Sequence, residues 1–164
     1  MTDTTFDGDG GTTNFDTDAN WSNTSPKTNP TFNAIIDADC SLSTAITMQG
    51  NLTVNAGHIM DCNGKVMKCG EVLVEGGGSP GTGKLLLDGG SAVDFYCKGI
   101  KLNQYGHLSG TAGTIYCSGV AANGMAFQNT ESNYRHNDGT VFIYNNGGDS
   151  NYFSINPGGN TFYN

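Results

Sequence analysis

The chain has 164 residues, a length that suits one domain able to bury about two thirds of its unfolded surface. Seven basic and 15 acidic residues give a formal net charge of −8, which repels phosphate backbones and anionic lipid headgroups and argues against nucleic acid and membrane partners. Only 13% of the residues are charged, 25 are glycine, and no window longer than a few residues has helical apolar spacing. This composition predicts an almost wholly β protein.

Residues 1–32 differ from the rest of the chain because they contain its single tryptophan and no valine, isoleucine or leucine. Phe15, Trp21 and Phe32 supply the large apolar side chains of this segment. We predict that the segment is a cap or anchor, which covers the first turn of a stack of strands and protects its edge. We also predict that these three aromatic residues contact partner proteins.

Four aspartates in the same segment stand at alternate positions, a spacing that calcium-binding loops use. They are Asp7, Asp9, Asp16 and Asp18. The complete loop with its distant glutamate is missing, and carboxylates of solvated turns often have this spacing. We therefore predict no resident metal and no cofactor, and we retain the four aspartates as weak calcium candidates.

Short apolar runs, each beginning at or after a turn-forming residue, recur along the last two thirds of the chain. Six runs and a seventh candidate lie at 51–54, 65–68, 84–87, 99–102, 114–117, 140–143 and 160–163. In one run Leu52 and Val54 are separated by a single residue, and so are Val72 and Val74 nearby, which places each pair on one face of a strand. One strand with its turn cannot bury an apolar face alone, so such units must stack. We predict a parallel β-solenoid, or β-helix, over residues 33–164.

The spacing of the runs is irregular, and this leaves a second architecture open. Strands separated by about 8 to 12 residues also suit two packed antiparallel sheets. The alternative fold is therefore an antiparallel β-sandwich.

Several segments of the first half of the chain form a recognisable pattern. They are FDGDGG at 6–11, FDTDANWS at 15–22, a proline at 26, AIID at 34–37 and GNLTVNAG at 50–57. With these segments the chain resembles the parallel β-solenoid regions of bacterial surface and autotransporter-like proteins and of phage structural proteins. The resemblance covers residues 5–75 best. It implies a structural, adhesive or receptor-binding role, because members that degrade polysaccharides are a minority.

Five cysteines, an odd number, each lie in or beside a predicted strand. A small apolar side chain suits a stacked interior, so we predict reduced thiols in a reducing compartment. A single disulfide between Cys62 and Cys69 across a turn stays open. The N-terminus lacks the features of a secretory signal, and no apolar run is long enough to span a bilayer, so we expect the chain to stay where it is made.

Two patterns with catalytic associations are incomplete. Residues 78–84 match the first seven positions of a phosphate-binding loop, but Leu85 stands where Ser or Thr should bind magnesium, so we interpret them as a corner between strands. Glycan cleavage needs two carboxylates on one face of a strand. The pairs with suitable parity are Asp37 with Asp39, Glu71 with Glu75, and Asp88 with Asp94. No other chemistry converges on them, so we predict that the protein is not an enzyme.

Aromatic residues concentrate toward the C-terminal end of the sequence, and of these we predict that Tyr152, Phe153 and Tyr163 contact partners. The whole pattern predicts a non-enzymatic structural protein of a virus particle, either a phage capsid decoration or a component of a tail or fibre. It would assemble in the host cytoplasm with other virion proteins and with copies of itself, as a homotrimer or an array, and its further ligand would be a host-surface glycan. The alternative is a bacterial extracellular adhesin or filament subunit that binds glycans or surfaces.

Overall fold

The computed structural model describes residues 1–77, 83–89, 92–118, 125–127, 133–135, 137–144 and 155–156. In these residues the secondary structure is almost entirely β, with one 3-10 turn at Asp18–Asn20. The strands, in chain order, are β1 Asp3–Phe6, β2 Asn33–Ile36, β3 Cys40–Ser41, β4 Ile46–Thr47, β5 Leu52–Val54, β6 Ile59–Asp61, β7 Met67–Lys68, β8 Glu71–Val74, β9 Lys84–Leu86, β10 Phe95–Cys97, β11 Gly99–Leu102, β12 His107–Ser109, β13 Thr114–Cys117, β14 Met125–Phe127, β15 Asn133–Arg135, β16 Thr140–Ile143 and β17 Ile155–Asn156.

The strands form three parallel sheets. Sheet 1 has the order β1-β2-β5-β8-β11-β14-β17, sheet 2 the order β3-β6-β9-β12-β15, and sheet 3 the order β4-β7-β10-β13-β16. From β2 onward the chain visits the three sheets in turn, so each coil lays one strand on each of three sides. The predicted parallel β-solenoid is confirmed. The alternative antiparallel sandwich is wrong, because every pairing between the described strands is parallel.

The repeating unit is one coil of three strands, and here the sequence interpretation was wrong. The apolar runs at 51–54 and 99–102 lie in sheet 1, the run at 84–87 lies in sheet 2, and those at 65–68 and 114–117 lie in sheet 3. The runs therefore belong to three different sides of the coil, and they are not successive copies of one repeat. The loops between sides differ in length, which is why the runs have no fixed period in the sequence.

The interior consists of apolar columns that run along the solenoid axis. In sheet 1 one column joins positions in register on β2, β5, β8 and β11, and all four side chains are buried. Its members are Ala34, Leu52, Val72 and Ile100. A period of two along each strand sends these side chains inward and their neighbours outward. Each Leu, Val or Ile so buried stabilises the fold by about 1.5–3 kcal/mol.

Stacked asparagines fix one corner of the coils where the chain enters sheet 1. The Asn51 backbone N–H donates to Oδ1 of Asn33 at 2.9 Å, and the Glu71 N–H donates to Oδ1 of Asn51 at 2.8 Å. Each side chain thereby satisfies the backbone of the next coil, whose N–H would otherwise lack a partner at the bend. The register between coils is thus set by polar groups at the corner as well as by the apolar columns.

Gly50 lies where two coils approach too closely for a side chain. A Cβ at this position would be 1.9 Å from the carbonyl oxygen of Phe32. Glycine is needed here for space, because its φ is not in the left-handed region that only glycine adopts readily. The contact joins the end of the N-terminal segment to the corner before β5.

Residues 1–32 are joined to the first sheet. β1 pairs with β2 in parallel register from Asp3 opposite Asn33 to Phe6 opposite Ile36, and Asn14 forms a parallel bridge with Ser41 beside sheet 2. The other edge of β1 is covered by the segment around Trp21, which bridges Phe6 in the antiparallel direction. The segment thus supplies the terminal strand of sheet 1 and also blocks its free edge.

Candidate functional site

The outer face of sheet 3 carries a continuous row of aromatic side chains, which we call the aromatic ridge. Tyr96 in β10, Tyr116 in β13 and Phe142 in β16 are register partners. The Tyr96 and Tyr116 rings stack with centroids 4.8 Å apart and an interplanar angle of 6°. Tyr116 then meets Phe142 edge-on at 6.0 Å, and Phe142 stacks on Tyr144 at 5.7 Å. Stacking between neighbouring coils accounts for this row.

The ridge exists because the strands of sheet 3 alternate strictly between interior and exterior. Phe95 and Ile115 precede the two tyrosines and are buried, at 2% and 1% exposure. Their neighbours Tyr96 and Tyr116 must therefore point outward. Of these two tyrosines only Tyr116 lies in one of the apolar runs of the sequence, and its place on one face with Tyr96 depends on the register between coils.

Electrostatic contacts fix the Tyr96 side chain, at the end of the ridge formed by β10. The Lys68 Nζ lies 4.7 Å from the centroid of the Tyr96 ring, and the Tyr96 hydroxyl donates to Oδ2 of Asp94 at 3.2 Å. Desolvation by the neighbouring groups, followed by the hydrogen bond and the negative charge of Asp94, raises the pKa of Tyr96. The phenol therefore stays protonated at neutral pH.

The opposite end of the ridge, at Phe142, is its apolar part. Phe142 is 52% exposed, and in the described residues it and Met1 are the large hydrophobic side chains that remain exposed. The faces of Tyr96 are covered by Lys68 and Tyr116, so at Tyr96 the ridge presents a ring edge and a hydroxyl rather than an open ring face. Such a surface suits a flat protein partner better than the face of a sugar ring.

The aromatic residues predicted to contact partners have different positions. Phe15 and Trp21 are 0% and 5% exposed and pack inside the N-terminal end, so the prediction that they contact a partner is wrong. Their apolar surface is needed to close the interior of the protein's own first coil. Phe32 is partly buried. Tyr152, Phe153 and Tyr163 lie outside the described residues.

One of the four calcium candidates, Asp16, binds neighbouring side chains. Oδ2 of Asp16 accepts hydrogen bonds from Ser43 at 2.6 Å and Thr44 at 2.7 Å, and Lys27 lies 3.3 Å away. Burial opposes ionisation of this carboxyl, but these three donors outweigh it and lower the pKa of Asp16. The described residues contain no group of three or more metal-binding side chains.

The other three aspartates are also parts of turns. Oδ1 of Asp18 accepts the backbone N–H of Ser25 at 3.0 Å and the Thr28 hydroxyl at 3.0 Å. The hydrogen bonds from Ser25 are the main cause that lowers the pKa of Asp18. Oδ1 of Asp7 accepts the backbone N–H of Asp9 at 3.1 Å, which is the geometry of an Asx turn.

The carboxylate pairs considered for glycan cleavage contact local partners. His58 lies between Asp37 and Asp39, with nitrogen–oxygen distances of 3.7 and 4.0 Å, and both aspartates also accept hydrogen bonds, from Asn55 and from the Ile59 backbone. Three of the four remaining acids are engaged in the same way, and the fourth, Glu71, is exposed. Glu75 accepts from Asn103, Asp88 from Ser109 and Asn137, and Asp94 from Thr114 and Tyr96.

A shallow groove crosses the outer face of sheet 1 over β5, β8 and β11. Its volume is about 180 Å³, and its rim includes Thr53, Glu71, Leu73 and Lys101. The groove forms because Gly99, opposite Glu71, has no side chain to fill the row. It is smaller than the usual ligand pocket of about 300–1,000 Å³.

The five cysteines are all free, so the alternative disulfide between Cys62 and Cys69 is absent; four are buried in the interior, and Cys69 is partly buried and packs against it. Burial raises the pKa of the Cys40, Cys62 and Cys69 thiols. Cys97 and Cys117 are register partners with sulfur atoms 3.6 Å apart, and this contact, followed by burial, raises the pKa of Cys97. These thiols act as small apolar side chains of the core.

The phosphate-loop motif also ends in a strand. Lys84 begins β9, and Leu85 is buried in the interior, so a strand stands where a phosphate-binding helix would begin. Residues 78–82 of the motif lie outside the described residues.

The fold defines the protein as a three-sided parallel β-solenoid with an aromatic outer ridge. No family model matches the chain, and searches of curated proteins and of solved structures find no match. In the described part of the chain no helix is long and apolar enough to cross a membrane.

Proposed function

We propose that the protein is a non-enzymatic structural component of a virus particle, as a capsid decoration or as part of a phage tail or fibre. The observation that carries the proposal is the stack of parallel coils around one continuous apolar interior. In the described residues parallel backbone pairing joins each coil to the next on all three sides, which makes a stiff projection suited to a mechanical role. The resemblance of residues 5–75 to phage and bacterial surface solenoids supports the same role.

Assembly in this proposal involves other virion proteins and copies of the chain itself, as a trimer or an array. The aromatic ridge supports it, because Phe142 is an exposed apolar side chain that a partner surface can cover. The N-terminal end is a poor site for stacking, since Trp21 and Ser22 already cover the edge of β1. Contact is therefore expected along the side of the solenoid.

Mass spectrometry of purified particles tests the assignment. We expect the chain in intact virions at a fixed ratio to the major capsid protein, after washing and density purification. Its absence from intact virions would overturn the proposal. Sedimentation of the purified protein, with Phe142→Ser compared with the control Thr140→Ser, tests the lateral contact, because only the first change removes exposed apolar area.

A bacterial extracellular adhesin or filament subunit is the second candidate. The exposed Phe142 and the adjoining Tyr144 favour it equally, because surface fibres also associate laterally. The two candidates differ in where the chain is found. Recovery of the chain from washed bacterial surfaces, with none in virions, would select the adhesin.

A further inference from the structure

Three basic side chains lie side by side on the outer face of sheet 2, and we call them the cationic strip. Lys84 in β9 is the register partner of His107 in β12, and Arg135 in β15 is the partner of Ser109, two residues beyond His107. Leu85 and Leu108 between these positions are fully buried, so Lys84, His107 and Ser109 are directed to the outer face, where Ser109 is covered and only 4% exposed. The strip therefore crosses three successive coils.

The strip is unusual for a protein with seven basic and 15 acidic residues. Ion pairs in the described part of the chain join Lys27 to Asp16 and His58 to two aspartates, and none involves the strip. Arg135 is exposed, and Lys84 and His107 are partly buried. Lys84 and Arg135 lie on the same face with one strand between them, so their positive charges repel one another, and a bound anion would relieve this repulsion.

The charged neighbours of His107 determine how much positive charge the strip carries. Partial burial lowers the pKa of His107 first, and the charges of Lys84 and Arg135 lower it further, while Asp88 opposes the change. Two acids lie close to the strip, and both accept hydrogen bonds. Asp88 Oδ2 accepts from Ser109 at 3.0 Å, and Asp61, on the same face of the adjacent strand β6, accepts the Asn63 backbone N–H at 2.6 Å. Lys84 and Arg135 therefore carry the permanent positive charge of the strip.

We propose that the cationic strip binds an acidic polysaccharide through contacts of its carboxylate or sulfate groups with Lys84 and Arg135. Neighbouring strands are about 4.8 Å apart, so the strip spans about 10 Å, more than a single small anion bridges. An extended chain with charges at intervals and neutral hydroxyls between them matches this spacing. At physiological salt the screening length is about 8 Å, so the local charges outweigh the more distant acids of the chain.

A nucleic acid fits the same surface less well. Its dense phosphate charge would meet the net charge of −8 beyond the strip. Among the described outward positions of sheet 2, His107 is the one aromatic ring, whereas single-stranded nucleic acid is usually held by several rings on which successive bases stack. The glycan site adds a ligand to the structural role proposed above and does not depend on it, because purified protein is enough to test it.

The test measures binding of the full chain to polygalacturonate, dextran sulfate, neutral dextran and single-stranded oligothymidylate at low and physiological salt. We expect binding to polygalacturonate or dextran sulfate, which weakens as salt rises, and none to neutral dextran. Binding to polygalacturonate alone would identify carboxylates as the ligand groups, and binding to dextran sulfate alone would identify sulfates. Failure of both acidic polymers to bind at low salt, or tighter binding of the oligonucleotide, would overturn the proposal.

A pair of double variants separates the strip from net charge. Lys84→Gln with Arg135→Gln should lower the affinity about tenfold or more, because two charged contacts are lost. Lys65→Gln with Lys98→Gln removes the same charge from other corners of the solenoid and should change it less than about twofold. Equal losses in the two variants would mean that only net charge matters. If the first variant does not fold, ligand-induced NMR shifts of the Lys84, His107 and Arg135 amides decide, and shifts that avoid them contradict the site.

Discussion

Trp21 and Phe15 close the N-terminal end of the solenoid through a hydrogen bond and an edge-to-face contact between their rings. The Trp21 indole N–H donates to the Phe15 carbonyl at 2.8 Å, and the two rings cross at an interplanar angle of 83° with centroids 4.8 Å apart. Phe6, at the end of β1, meets the other side of Trp21 at 5.3 Å. The indole therefore seals the interior columns while its polar atom is satisfied inside the protein.

Removal of the Trp21 side chain should destabilise the protein strongly. We expect Trp21→Ala to lower the free energy of unfolding by about 3–5 kcal/mol, because a large buried side chain is replaced by a cavity. Trp21→Phe keeps most of the packing and loses the hydrogen bond, so it should cost less. Urea unfolding measures both.

Phe32→Ala is the matched control for the seal, since Phe32 is only partly buried. It should cost clearly less than Trp21→Ala. Equal losses for the two alanine variants would show that Trp21 does not close the end of the core.

Gly50 should tolerate no side chain. In Gly50→Ala the new Cβ would lie 1.9 Å from the Phe32 carbonyl oxygen, and the two coils must separate to admit it. We expect a loss of about 2–3 kcal/mol in the free energy of unfolding.

Gly57→Ala separates this steric effect from backbone strain. Gly57 has a φ of +88°, and nothing lies within 4 Å of a Cβ built there, so the cost should be about 1 kcal/mol. A loss at Gly57 equal to or greater than that at Gly50 would contradict the close approach between coils.

Asp16 should stabilise the fold at neutral pH and not in acid. Its pKa is lowered in the folded state, so its contribution is present above the pKa of the unfolded chain and is lost as the pH falls through the folded value. We expect Asp16→Asn to cost about 1.5–3 kcal/mol at pH 7, because hydrogen bonds to a charged group are lost. The difference from the wild type should shrink toward pH 2.

Unfolding curves across this pH range check the prediction. Asp9→Asn is the control, because Asp9 is exposed and should change stability little at either pH. A cost for Asp16→Asn that is constant from pH 7 to pH 2 would show that its charge is not the stabilising feature.

The interior thiols should be inert in the native protein. Burial raises the pKa of Cys40, Cys62 and Cys69, so at pH 8 they remain protonated, and the buried Cys40 and Cys62 are also shielded from a thiol reagent such as Ellman's reagent. All five cysteines should react once the chain is unfolded in guanidinium. An exposed Asn23→Cys variant provides the positive control. Rapid labelling of wild-type protein under native conditions would mean that the coils open readily.

The raised pKa values of the buried thiols also predict that the protein loses stability at alkaline pH. A group whose folded pKa is raised contributes stability below its unfolded pKa, and this contribution is lost as the pH rises from that value through the folded one. Stability should therefore fall above about pH 8.5, the ordinary thiol pKa. In the variant Cys62→Ala the fall should be smaller than in the wild type, even though its stability at pH 7 is lower.

The sequence determined the β character of the protein and the direction of many side chains. Leu52 and Val54 are both buried, as their parity predicted, and glycine and asparagine mark the corners where expected. These features are local, because they depend on alternation along one strand and on the backbone freedom of single residues. Local signals of this kind can be read without knowing which strands pair.

The tertiary structure alone decided what depends on register between distant segments. Trp21 was expected to contact a partner and instead fills the interior, because the chain folds back so that Trp21 bridges Phe6. Tyr96 with Tyr116, and Lys84 with His107, became neighbours only when strands separated by long and unequal loops were placed side by side. The physical reason is that the loops differ in length, so the strands have no constant spacing in the sequence. Backbone pairing between coils, in contrast, fixes each side chain of a paired strand on its face.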